Sequence, residues 1–138
     1  MIEIHHKKSG DLLLQIEAED LIAGGMVGKD LTGADLRHTV WFNRNLARID
    51  FTNADLTGIK LPNCSLKGAN LTNALLRGAD LDCTDLSDCN LEGANLQKAS
   101  LFFCRLQGAN LQGVKIGYTE AEITSWRSMY PASNDPEN

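Results

Sequence analysis

From Leu31 onward every fifth residue is large and apolar, running through Leu36, Trp41, Leu46, Phe51 and Leu56 without a break to Ile116, eighteen positions in all. Two places before most of these stands a small residue, as at Ala34, Ala54, Cys64, Ala69, Ala74, Ala79, Thr84, Cys89, Ala94, Ala99, Cys104 and Ala109. The residue between is polar, most often Asp or Asn. An inward, outward, inward triplet is the alternation of a short β-strand, whose first and third side chains share one face. The two residues left over make a corner. Of the seventeen second-corner positions from Gly33 to Gly113, eleven are Gly or Asn, the residues that best tolerate the positive φ of a type II turn. A helix is excluded by the same spacing: five residues at about 100° each would smear the apolar stripe around its axis.

Runs such as GANLQ, GADLR and TNADL resemble the tandem motif of the pentapeptide-repeat family over roughly residues 29 to 118. The resemblance implies an all-β fold, a right-handed quadrilateral β-helix in which four pentapeptides complete one square coil. The large and small apolar residues then line the interior, and residues twenty apart stack in columns. At a strand spacing of about 4.8 Å the repeat region makes a rod on the order of 22 Å long. Outward Asn70, Asn90 and Asn110 fall in one column, where amides can bond to each other.

A solenoid has two open ends that need cover. Ile2–His6 and Asp11–Ala18 read as strands around a turn at residues 7–10, with Leu12, Leu14 and Ile16 alternating on one face. Thr119 and Glu122 have the spacing of a capping box, and Ile123, Trp126 and Tyr130 fall near one helical face before Pro131. The expected single domain is therefore an N-terminal β-hairpin cap over residues 1–25, the solenoid over 26–118, a capping helix over 119–131 and a disordered tail over 132–138.

Charge sharpens the picture once it is divided along the chain. The formal net charge is -5, yet residues 26–117 hold ten basic and nine acidic side chains, a net of +1, and each end carries a net of -3. The first eight residues set apolar before basic, which argues against a signal peptide, and no stretch is long enough to span a bilayer. Four cysteines without a CxxC pair point to a reducing, cytoplasmic compartment. Cys64, Cys89 and Cys104 occupy the small inner position as buried hydrophobes, whereas Cys83 stands at a corner. Arg44 falls where Ala is expected, and an unpaired charge there predicts a distorted coil near Trp41, Phe42 and Asn43.

Candidate chemistry is thin. His5, His6 and His38 are too few for a metal site, and no phosphate loop, nucleophile elbow or zinc signature is present. Neither catalysis nor a cofactor is expected. The composition points to a non-catalytic protein-interaction or scaffold module that meets an unidentified protein partner, with no direct nucleic acid binding and no membrane contact. Its candidate surface is Phe102 and Phe103, two aromatics in one corner. These are to be covered by Trp126 and Tyr130 of the same chain, by another protein, or by a second copy in a homodimer through the C-terminal end.

The alternative comes from the family resemblance, since some members imitate duplex DNA and protect DNA gyrase. A mimic needs a negative charge for about every 1.7 Å of axis. The acidic candidates are Asp30, Asp35, Asp50 and Asp55, which stack only as the pairs Asp30 with Asp50 and Asp35 with Asp55. Such short columns rank mimicry second.

Overall fold

The computed structural model describes residues 1–17, 19–20 and 24–117. Its wall is built from fourteen parallel bridges, each joining a residue to the one twenty further on, from Asp30 with Asp50 to Asn95 with Lys115. Twenty residues therefore close one coil of four faces. The large inner residues from Leu31 to Leu96 are buried at every step, and Ala, Cys or Thr fill most of the positions between them. Near the first coils the space bounded by Met26, Leu36, Trp41, Leu46 and Phe51 admits no water molecule. Among the described residues, no helix is long and apolar enough to cross a membrane.

Why the sequence adopts this wall is clearest from its N–H groups, which must all find acceptors when the chain leaves water. In the pentapeptide 71–75, Leu71 N–H donates to Asn90 O at 2.7 Å, Asn73 N–H to Glu92 O at 2.9 Å and Leu75 N–H to Ala54 O at 3.0 Å, which ties the coil to both neighbours. Ala74 N–H closes the turn on Leu71 O at 3.0 Å. The fifth, Thr72 N–H, donates to the side-chain Oδ1 of Asn70 at 3.1 Å. That last bond explains the outward Asp and Asn of the repeat, for their oxygens cap the first corner residue as in an Asx-turn. Where the outward residue is Lys60, which has no acceptor, the corner residue is Pro62, which has no N–H.

All seventeen second-corner residues from Gly33 to Gly113 have positive φ, between 53° and 75°. Six of them, His38, Arg48, Cys83, Asp88, Lys98 and Phe103, are neither Gly nor Asn, so the coil imposes the corner where local preference does not. The side chains of His38, Arg48 and Asp88 lean toward the next coil. A Cβ on Gly108 would collide with Asp88 Oδ1, and one on Gly93 with Asn73 Oδ1, so glycine at those levels makes room for the corner beneath.

Strands β1 (Ile2–His6) and β2 (Leu12–Ile16) form an antiparallel hairpin, and β1 pairs on its other side with β3 (Ala34–Asp35) in the first coil. Ile4 and Ile16 join the core from this hairpin. The alternation expected of Leu12, Leu14 and Ile16 holds only for the last two. Ile4 pairs with Leu14 but His5 pairs with Leu12, which leaves Leu13 as a bulge. The extra residue swaps faces beyond it: Leu13 packs on the core and Leu12 is 51% exposed. The expected C-terminal helix and tail lie outside the described residues.

Candidate interaction surface

The acidic candidates come first, because their geometry answers whether they form a charged column. Asp30 and Asp50 bridge on one face, and Asp35 and Asp55 on the next. Each is occupied locally. Asp30 Oδ1 accepts the Thr32 N–H at 3.0 Å and its hydroxyl at 2.8 Å, which holds its carboxyl below the usual carboxylate range. Asp50 and Asp55 accept the same pair of bonds from Thr52 and Thr57. Arg37 donates two side-chain bonds to Asp35, at 2.9 and 2.8 Å, and lies 3.9 Å from Asp55. These bonds keep Asp35 ionised to lower pH and place a guanidinium between the two carboxylates. The Asp35–Asp55 pair thus presents mixed charge.

The inner cysteines are structural. The Cys89 thiol donates to Leu66 O at 2.8 Å and the Cys104 thiol to Leu81 O at 2.8 Å, each twenty-three residues back. The Thr84 hydroxyl does the same to Leu61 O at 2.6 Å. Burial pushes both the Cys89 and Cys104 thiols up to about 12, so neither is a thiolate at neutral pH. All four cysteines are free. Cys64 plays a further part beside Arg44: its thiol donates to Trp41 O at 2.7 Å, and its sulfur accepts the Arg44 N–H at 3.5 Å. The distortion expected around Trp41, Phe42 and Asn43 is this opened turn, with Arg44 only half buried.

The aromatic candidates lie on one edge of the solenoid. Twenty-residue coils stack Phe42, Pro62, Asp82 and Phe102 at the first corner position, and Asn43, Asn63, Cys83 and Phe103 at the second. Phe102 is 70% exposed and Phe103 85%. Phe42 and Val40 are also exposed on this edge, three coils below. The backbone under the pair is pinned: Phe102 N–H donates to Asp82 Oδ1 at 3.0 Å, and Cys83 N–H donates to Phe102 O at 2.8 Å. The Ser100 hydroxyl joins the same carboxylate oxygen at 2.5 Å. Asp82, Val40 and Phe42 were not among the residues expected at this surface, although the twenty-residue register places all three on this edge. Trp126 and Tyr130 lie outside the described residues.

A wall of five-residue steps, four to a coil, with Asx-capped corners and a Leu-filled interior defines a family. The model for pentapeptide repeats matches in eight copies, over residues 30–68, 45–82 and 79–116. The chain belongs to the pentapeptide-repeat family, and its solenoid is the right-handed quadrilateral β-helix of that family. No curated protein matches it. Among solved structures it is 32% identical to the pentapeptide repeat protein Rfr23 from the cyanobacterium Cyanothece 51142, over 59% of each chain, with a TM-score of 0.41. To HetL from Nostoc sp. strain PCC 7120, involved in heterocyst differentiation regulation, it is 28% identical over 64% of this chain and 45% of that one, with a TM-score of 0.35. To QnrB1, a plasmid-mediated fluoroquinolone resistance protein, it is 22% identical over 64% of this chain and 61% of that one, with a TM-score of 0.25. The chain spans less than two thirds of each of these three.

Proposed function

We propose that this chain is a non-catalytic, cytoplasmic interaction module whose binding surface is the Phe102–Phe103 corner. The observation that carries this reading is the exposure of two adjacent phenylalanines on a hydrogen-bonded backbone. Aromatic anchors supply much contact area at small cost in side-chain entropy, and they dominate many protein interfaces. A fixed backbone adds to this by lowering the ordering cost on binding. The partner is another protein or a second copy of the chain. Nucleic acid is disfavoured by the near-neutral repeat region.

The test replaces Phe102 by Thr and Phe103 by Asn, the latter chosen because Asn tolerates the corner's positive φ. Wild type and variant are compared as baits in cell extract, and by sedimentation alone. A partner or self-association held by the wild type and lost in an equally stable variant supports the reading. Retention of the same partner by the variant refutes it. Gyrase supercoiling is expected to proceed unchanged in the presence of the protein; potent inhibition, abolished by changing Asp30, Asp35, Asp50 and Asp55 to Asn, would favour DNA mimicry instead.

A further inference from the structure

At the opposite end of the rod, the hairpin turn and the first coil border an open cleft of about 420 Å³, lined by His6, Lys7, Lys8, Thr32, Gly33 and Asn53. Among the described residues, no carboxylate lines it. Neither Lys7 nor Lys8 forms an ion pair among the described residues. The carboxylate of Asp30 is already engaged by Thr32, whose hydroxyl donates a hydrogen bond to it at 2.8 Å.

The ring of His6 is oriented by its backbone surroundings. Its Nδ1 accepts N–H bonds from both Lys8 and Ser9, at 3.2 Å each, which leaves the proton on Nε2. That nitrogen lies over Gly33, where a Cβ would collide with it. The backbone of the turn has no donor left to offer: Lys7 N–H goes to Gly33 O at 2.9 Å and Gly10 N–H to His6 O at 3.0 Å. The free donors around the cleft are therefore side chains. They comprise two ammonium groups, one imidazole N–H and the Asn53 amide, whose side chain has no hydrogen-bond partner among the described residues.

We infer that this cleft binds a phosphate group, either free or carried as a phosphomonoester. Several donors gathered around a space that no carboxylate of the described residues lines favour an anion with several strong acceptor oxygens. The two lysines supply point charges, and the oriented His6 N–H supplies direction. The site is independent of the Phe102–Phe103 corner, so either can fail without the other.

The test follows backbone and side-chain amide NMR signals while inorganic phosphate replaces chloride at constant ionic strength, which holds screening fixed. A second titration uses a short neutral peptide bearing one phosphoserine. Saturable shifts confined to residues 6–10, Gly33 and Asn53 are expected with at least one of the two. Tighter binding of the phosphopeptide identifies an esterified ligand, and equal or tighter binding of phosphate a free one. Lys7→Ala with Lys8→Ala should weaken binding about tenfold or more by removing two charge-assisted bonds, with an unchanged melting temperature. Asn53→Gly preserves the corner and removes only the amide, with a smaller loss. Shifts that do not saturate, that spread equally to Lys60, Lys67 and Lys98, or that persist at full affinity in the double lysine variant would overturn the inference.

Discussion

Two turns on the same edge of the solenoid, two coils apart, solve one problem differently. In the turn from Leu81 to Thr84 the chain closes on itself, Thr84 N–H donating to Leu81 O at 3.1 Å while the Cys104 thiol adds a second bond to the same carbonyl. In the turn from Trp41 to Arg44 the backbone bond is missing, and the Cys64 thiol accepts from one end and donates to the other. The comparison teaches that an inner side chain one coil further on can splice a broken corner. An arginine is tolerated at an alanine position because the next coil supplies what the turn loses.

The largest effect should come from placing a charge where no splice can help. Leu86 is fully buried between coils on both sides, so Leu86→Asp should cost more than about 4 kcal/mol and leave the chain unfolded or aggregated. Asp85→Asn, one residue away, keeps an acceptor for the Ser87 N–H and should melt within a degree or two of the parent. Similar thermal melts for the two variants would contradict the assignment of inside and outside.

Removing the splice should have the next largest effect. Cys64→Ala leaves Trp41 O and Arg44 N–H without their partner, at a cost of about 1–3 kcal/mol. Cys89→Ala leaves Leu66 O still bonded to Ala69 N–H at 2.9 Å and should cost about 1 kcal/mol or less. Urea denaturation of both variants measures the difference, and equal midpoints would mean that the sulfur contacts at Trp41 carry no weight. Restoring the repeat with Arg44→Ala should raise stability slightly, by up to about 1 kcal/mol, if the turn can then close.

The smallest effect is on pH. The Asp30 carboxyl is held below its ordinary value by the Thr32 N–H and hydroxyl, and that of Asp35 by Arg37. A folded value below the unfolded one stabilises the protein above about pH 4 and is lost as acid brings the pH down through the folded value. The melting temperature should therefore dip modestly on acidification below about pH 4, and Asp30→Asn should make the dip shallower. Arg37 is exposed and Asp35 partly so, and added salt should therefore reduce the Asp35 part.

Most of the wall was legible because its period is short and strict: the apolar residue at every fifth place fixes what points inward, and stacking by twenty fixes what meets what. The reason for Asp and Asn outside was less visible, since it resides in one side-chain oxygen capping a corner N–H, as at Asn70 and Thr72. Corners at Lys98 and Phe103 could not be read from turn preference, because neighbouring coils hold them at positive φ against it. Leu12 was placed wrongly because a bulge at Leu13 depends on how β1 meets its partner, which no local alternation encodes. For the candidate surface, Phe102 and Phe103 stood out as aromatics at polar positions, while Asp82 beneath them required the coil to be known.

The N–H accounting of a regular pentapeptide such as 71–75 has a consequence for how such a chain can change length. Excising twenty residues from the middle, such as 66–85, would remove one storey and leave every remaining column in line, with the Phe102–Phe103 corner above the same edge as before. Excising five would leave the interior equally satisfied but rotate everything above the cut by a quarter turn, carrying the aromatic corner onto a neighbouring edge. Insertions and deletions in this architecture thus act as a dial: multiples of four repeats set height, and the remainder sets which direction a surface faces.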